Sequence, residues 1–270
     1  MSEPPSVAIV QPPRTTLSMR VGVVMPAYNA ERTLERTFSE LPHEMISEVI
    51  LVDDASSDRT VEVAKSLPIS VFVHKQNYGY GGNQKTCYAE ALKRNLDIIV
   101  MVHPDYQYDP KLLPHVVQPI LEGKADVVFG SRMKQRGDAL KQGMPLWKYI
   151  PNLVLTSCEN LVFGLRLSEY HTGYRAFHRR VLERVNYQSN SDNFIFDQQI
   201  VAQIVDKQFH ITEVYVPAKY FPEASSAGVI ASCVYGLSIL LMLWEFLLYR
   251  LGAVSPARYV DHWSRYSRVK

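Results

Sequence analysis

The stretch Glu48-Val-Ile-Leu-Val-Asp-Asp-Ala-Ser-Ser-Asp-Arg-Thr60 passes from an apolar run into carboxylates and hydroxyls, and then into a helical pattern. Val49 to Val52 carries β-branched residues without polar alternation, as a strand covered on both faces does. Asp53 and Asp54 end it, and Arg59 to Ser66 reads as a helix with Ser57 or Asp58 as its cap. The same succession recurs on either side. Met19 to Met25 is a strand ended by Pro26, followed by a helix over Glu31 to Glu40. Ile69 to His74 is a third strand, followed by a glycine-rich turn and a helix over Asn83 to Asn95. Asp97 to Val102, a helix over Lys111 to Glu122, and a fifth strand at Ala125 to Phe129 complete the series. This alternation predicts an α/β fold, a mostly parallel sheet with helices on both faces. Beyond Gly130 the rhythm changes: Ser131 to Pro145 reads as a loop, Trp147 to Phe163 and Asn193 to Lys207 as helices, and His210 to Val216 as a late strand.

The chain has 270 residues, 47% of them hydrophobic, enough for one large α/β domain with or without an appendage. A net charge of +2 gives no argument for a nucleic-acid partner. Cys87, Cys158 and Cys233 are scattered and form no C-x-x-C, which disfavours a disulfide framework and a zinc knuckle and suits a reducing cytosol. Residues 1–18 hold four prolines and read as a disordered tail. Residues 19–226 read as the folded domain, and residues 227–270 as an apolar helix with a basic tail. Ala227 to Trp244 contains no charge. Three readings compete there: a buried helix, a helix lying in the membrane interface, and a single span. Contact with a membrane surface is the expectation, with the basic flank drawn to anionic lipid.

Ligands of open α/β sheets sit outside the carboxyl ends of the strands. Those ends carry Pro26 to Asn29, Asp53 to Asp58, Asn77 to Gly82, His103 to Gln107 and Gly130 to Arg132. No G-x-G-x-x-G follows the first strand and no G-x-x-x-x-G-K-[ST] is present, which disfavours a dinucleotide cofactor and a P-loop. Asp53 and Asp54 suit the ribose or base of a nucleotide; capping of a helix is the other reading of such residues. In extended geometry His103, Asp105 and Gln107 point the same way. One imidazole, one carboxylate and one amide oxygen suit a divalent cation, Mg²⁺ or, with the histidine, Mn²⁺; a polar strand end without metal fits the same spacing.

The motifs Pro26-Ala-Tyr-Asn-Ala-Glu-Arg-Thr-Leu34, Val52-Asp-Asp-Ala-Ser-Ser-Asp-Arg-Thr60, His103-Pro-Asp-Tyr-Gln-Tyr-Asp-Pro110, Gly130-Ser-Arg132 and Thr172-Gly-Tyr-Arg-Ala-Phe177 stand in the order of family 2 glycosyltransferases of GT-A fold. The resemblance covers roughly Arg20 to Ser226. It is closest to the branch holding dolichyl-phosphate mannose synthases and bacterial polyprenyl-phosphate glycosyltransferases. It implies a metal-dependent, inverting hexosyltransferase at the inner face of the cytoplasmic membrane, with a nucleoside diphosphate sugar as donor and Mn²⁺ or Mg²⁺ as cofactor. Asp105 matches the second aspartate of the family's Asp-x-Asp and Gln107 the glutamine that often follows, while His103 replaces the first aspartate. The resemblance assigns Pro26, Tyr28, Asp53 and Asp54 to the donor. It places Arg132, Lys148 and Asn152 where the branch binds a polyprenyl phosphate. Asp197 matches the late acidic residue, the base that a saccharide hydroxyl acceptor in exopolysaccharide or O-antigen assembly requires. His171 has no assigned role, and Arg175 is a support for the same region. A non-catalytic nucleotide-sugar binding protein is the remaining alternative, prompted by His103.

Overall fold

The computed structural model describes residues 19–220 and 228–260. The expectations for the N-terminal tail, for Phe221 to Ser226 and for the basic end beyond Val260 lie outside the described residues. A seven-stranded sheet is ordered β3-β2-β1-β4-β6-β5-β7. Its strands are β1 (Val21–Ala27), β2 (Glu48–Asp53), β3 (Ser70–Val73), β4 (Ile98–Met101), β5 (Val127–Ser131), β6 (Arg175–His178) and β7 (Ile211–Tyr215). The helices are α1 (Leu34–Ser39), α2 (Thr60–Ser66), α3 (Gly79–Lys93), α4 (Leu113–Leu121), α5 (Asp138–Lys141), α6 (Leu146–Phe163), α7 (Arg179–Arg184), α8 (Phe196–Asp206) and α9 (Val229–Arg250).

β1 shows why these runs form central strands. All its residues are buried, and successive side chains serve opposite faces. Val24 joins the core packed under α3, α8 and α9, while Val23 and Met25 join the core under α1 and α4. A strand covered on both faces needs no polar alternation.

Three sequence expectations are corrected. A short strand, β6, lies antiparallel between β4 and β5, with Met101 and Phe129 both opposite Arg175. Its four residues are too few for a periodic signal. The expected loop after Gly130 contains α5, and Ser131 still belongs to β5. α3 begins at Gly79, not at Asn83, so the glycine-rich turn is the first turn of the helix. Asp54 explains this start: its carboxylate accepts from the backbone N–H of Tyr78 (2.8 Å) and of Gly79 (2.9 Å). Those are orphan donors of a helix N-terminus. Gly79 has φ +87°, and a Cβ on Gly81 would come within 2.4 Å of the Ser191 carbonyl oxygen, so glycine is required at both places.

Two helices distinguish the C-terminal half. α6 turns polar as well as apolar side chains inward, with Phe163 in the core and Leu155 and Val162 packed against it. Asn152, Thr156 and Glu159 face inward and are buried, while Leu146, Trp147, Ile150, Leu153, Val154 and Leu161 face outward, Leu161 at 85% exposure. α9 packs beside it. Ile239, Met242, Leu243 and Phe246 of α9 are buried in the core, each worth roughly 1.5–3 kcal/mol. Val234, Leu237, Leu241 and Trp244 face outward. The chain then returns to the domain, where Tyr259 stacks on Tyr249 at 4.2 Å and the Ala257 carbonyl accepts from Asn186. α9 is long and apolar enough to cross a membrane, yet its inner face belongs to the domain core.

Candidate active site

The parallel register brings the carboxyl ends of β1, β2, β4 and β5 to one edge. Ala27 lies opposite Asp53, and Val24 opposite Met101. β6, running the other way, starts at the same edge with Arg175. The sequence-assigned residues therefore share one rim, in three neighbouring groups.

The first group lies beyond β1 and β2. Tyr28 is 55% exposed and Pro26 is buried beside it. Asn29, at φ +51°, accepts from the Ser57 N–H at 2.9 Å and donates its own N–H to Ser56 Oγ at 2.9 Å. Asp53 accepts from the Ser56 N–H (2.9 Å), and Asp58 from the Thr60 N–H (3.0 Å) and the Glu31 N–H (3.1 Å). These bonds sew the two loops into one ledge. Asp58 thus serves the start of α2, as expected. Asp54 serves α3 and also pairs with His74 Nδ1 at 2.7 Å, so its oxygens are held by protein groups. His74, which reads from the sequence as an ordinary interior residue, bridges Asp54 to Thr86 (2.9 Å).

The second group follows β4. Tyr106 has φ +56°, so the segment turns and is not extended. The alternation nevertheless survives. His103, Asp105 and Gln107 are partly exposed, and Pro104, Tyr106 and Tyr108 between them are buried. Asp105 Oδ1 accepts from the Gln107 N–H at 3.0 Å. The His103 ring stacks parallel to Tyr80 at 5.6 Å, with Nε2 at 3.4 Å from the phenol oxygen, and presses on Gly173. Among the described residues no three His, Cys, Asp or Glu side chains form a metal cage. Asp105, His103 and Gln107 offer one carboxylate, one imidazole and one amide. That set fits a hard cation that takes its other ligands from phosphate oxygens and water. A hydrogen-bonded second ring nitrogen, as His103 has toward Tyr80, is the usual support of a metal-binding histidine.

Behind His103 lies a buried polar network. Asp197 accepts from the Tyr80 hydroxyl at 2.8 Å and from Gln84 at 3.2 Å, and sits 3.4 Å from the Arg175 guanidinium. Arg175 donates to the carbonyls of Tyr170, Thr172 and Asp197. Burial and then the Asp197 charge push the Tyr80 phenol well up, so it remains a donor.

The third group is built on Glu169, which is fully buried. It accepts from Arg132 Nε at 2.8 Å, from the Arg132 N–H at 3.2 Å and from Asn152 Nδ2 at 2.9 Å. Arg132 also donates to the Tyr220 hydroxyl and to the His171 carbonyl, both at 3.1 Å. Burial works against the guanidinium charge, but Glu169, Tyr108 and Tyr220 outweigh it and hold its pKa raised. Tyr220 is pushed up to about 12, chiefly by burial and against the pull of Arg132. The Lys148 amine is lowered by burial first and then by the Arg132 charge, so the two cations lie within each other's field. Tyr108, its phenol raised by burial, lies within the fields of Arg132, Glu169 and Asp105 and so joins this group to the second. Glu169, Tyr80 and Tyr108 went unassigned from the sequence. Glu169 had one signal, a lone carboxylate two residues before the His171-Thr-Gly-Tyr-Arg175 motif.

The sheet order and this edge define a GT-A-like fold, and residues 22–185 match the glycosyl transferase family 2 model; the chain belongs to that family. It is similar to the UDP-N-acetylglucosamine–dolichyl-phosphate N-acetylglucosaminyltransferase of Methanococcus voltae, 26% identical over 86% of this chain and 96% of that protein. It is likewise similar to the undecaprenyl-phosphate mannosyltransferase of Micrococcus luteus, 26% identical over 87% of this chain and 100% of that protein. The glucosyl-3-phosphoglycerate synthase of Mycobacterium tuberculosis, solved with Mn²⁺, UDP and glucosyl-3-phosphoglycerate, shares the fold. Its TM-score is 0.63 at 17% identity, covering 88% of this chain and 81% of that one.

Proposed function

We propose that this protein transfers a hexose from a nucleoside diphosphate sugar to a polyprenyl phosphate, working from the inner face of the cytoplasmic membrane. The observation that carries this reading is the Arg132, Lys148 and Asn152 cluster at the inner side of α6, a helix whose outer side is apolar and exposed. Arg132, oriented by Glu169, and Lys148 supply the cationic side chains, and Asn152 an amide, that suit an anionic head group. Lys148 and Asn152 stand one turn apart, so both face it. The outward leucines of α6 and α9 suit acyl chains beside that head group, with the helices lying on the membrane. The names of the Methanococcus and Micrococcus relatives, both lipid-phosphate transferases, support the same acceptor class.

In this reading Tyr28, Pro26 and Asp53 hold the nucleoside, and the diphosphate reaches toward Asp105, His103 and Gln107. Asp105, His103 and Gln107 would hold a Mn²⁺ or Mg²⁺ ion there, and that ion would supply Lewis-acid charge for the departing diphosphate. Arg132 and Lys148 aim one acceptor phosphate oxygen at the anomeric carbon, on the side opposite the leaving group. The new carbon–oxygen bond forms as the old one breaks, and the electron pair departs on the nucleoside diphosphate, with inversion. A phosphate monoester is already ionised at neutral pH, so positioning and charge balance suffice and no base is required. The saturation of Asp197 by Tyr80, Gln84 and Arg175 is consistent with that, and weighs against a saccharide hydroxyl acceptor.

The test incubates a panel of nucleotide sugars with polyprenyl phosphate and Mn²⁺ or Mg²⁺. A lipid-linked sugar, lost in Asp105→Ala, is expected; absence of any such product with every donor would overturn the reading. Asp197→Asn separates the acceptor classes: transfer to lipid phosphate survives within about tenfold, whereas transfer to a hydroxyl falls by ~100-fold or more.

A further inference from the structure

We propose that Tyr235 of α9 is a positioning residue for the acceptor-phosphate cluster, which makes the apolar helix a wall of the active site as well as a contact for lipid. The inference rests on the acceptor reading given above and concerns a residue outside the substrate-facing set.

Two contacts place Tyr235 at a junction. Its hydroxyl donates to Gln198 Oε1 at 2.7 Å, and its ring meets the His171 imidazole edge-on at 5.9 Å and 79°. His171 is the residue whose carbonyl accepts from Arg132 at 3.1 Å. Gln198 follows Asp197 and donates to the Tyr170 carbonyl at 3.4 Å. One side chain of α9 therefore touches both segments that shape the site, the one holding Arg132 and the one holding Asp197.

The remaining anchorage of the His171 ring is incomplete. Its Nε2 lies 3.0 Å from a Glu159 carboxylate oxygen, yet among the described residues neither Glu159 oxygen makes a directed hydrogen bond, and neither does Nε2. The Glu159 contact holds the imidazole near α6 without a directed hydrogen bond. The Tyr235 ring packs against the imidazole at 79°. Farther along the same helix face, Ile239, Met242 and Phe246 are apolar and buried in the core. A buried phenol demands a partner, and the Gln198 bond supplies it. The chain of contacts is thus α9 to His171, and His171 to the guanidinium of Arg132. The nucleoside ledge beyond β1 and β2 has no part in it.

The test uses the full-length protein in detergent, with farnesyl phosphate as acceptor, comparing Tyr235→Leu and Tyr235→Phe with the parent. Tyr235→Leu is expected to raise the acceptor KM about tenfold while kcat and the affinity for UDP or GDP stay within about twofold; Tyr235→Phe, which keeps the ring against His171, stays within about threefold in KM. An acceptor KM unchanged in Tyr235→Leu overturns the proposal. So does a loss shared equally by nucleotide binding, since that is what general loosening of the fold would give. If the parent transfers nothing to farnesyl phosphate, the functional reading fails separately. The positioning role is then judged on farnesyl phosphate affinity, read by quenching of tryptophan fluorescence: an equal affinity in parent and Tyr235→Leu overturns it, and a tenfold loss sustains it.

Discussion

Glu169 is a fully buried carboxylate with three donors, and its charge is matched by Arg132 at 2.8 Å. Removing one partner of such a buried pair leaves the other charge uncompensated, at a cost of about 3–5 kcal/mol. Glu169→Gln is therefore expected to lower the urea midpoint by that order and to raise the acceptor KM, because Arg132 loses the bond that orients its fork. A variant of unchanged midpoint would contradict the ion pair. Lys148 gives a pH prediction. Its pKa is lowered by burial and by Arg132, so the ammonium is present at low pH and is lost as pH rises through a value below that of an ordinary lysine. Acceptor affinity should accordingly weaken on the alkaline side, earlier than a free lysine would dictate, while nucleotide affinity stays flat. Lys148→Arg should move that limb out of the accessible range, and the acceptor KM measured against pH checks it.

The segment after β4 and the turn before β6 act as a pair. Gly173 packs so closely on His103 that an added Cβ would lie 2.6 Å from the imidazole Cδ2. Gly173→Ala must displace the ring, and overpacking of this kind costs typically 1–3 kcal/mol. The expected readout is weaker Mn²⁺ binding, by calorimetry in the presence of UDP or GDP, larger than the change in folding midpoint alone would give. Equal Mn²⁺ affinity in the variant would remove His103 from the proposed cation site. The elements also show where sequence reading reaches its limit. The strands β1, β2 and β4 announce themselves through unbroken apolar runs. β6 has only Arg175 to His178, and its first residue is a buried arginine that no pattern would place inside a sheet. That arginine is tolerated because three backbone carbonyls and Asp197 surround it.

Across the whole molecule, α6 and α9 pack together and both carry exposed apolar side chains, with Trp244 at 60% exposure, and the Lys148 ammonium lies 5.0 Å from the ring of exposed Trp147. Exposed apolar patches of this extent mark interaction sites. If the patch lies on lipid, replacing Leu241 and Trp244 by glutamate should cut partition onto anionic vesicles by at least about tenfold, since burying one such side chain is worth roughly 1.5–3 kcal/mol. Flotation of the full-length protein with vesicles measures this. Transfer to a short, detergent-soluble acceptor should persist, because the inner face of α9 is untouched. Full flotation of the double variant would dissociate the patch from membrane binding.

The sequence by itself determined the α/β alternation, the catalogue of strand ends and the alternate facing of His103, Asp105 and Gln107, because these depend on local periodicity and on chain punctuation. It also marked α9 as apolar, since hydropathy is additive along a helix. Only the tertiary structure decided that Asp54 would cap α3, that Asp197 would be consumed by Tyr80, Gln84 and Arg175, and that Glu169 would set the geometry of Arg132. Those roles are pairings between residues distant in the chain, and an isolated carboxylate carries no local sign of which donors will surround it. The inward polar residues of α6 belong to the same class: the helix turns Asn152 and Glu159 inward because a buried polar cluster awaits them there.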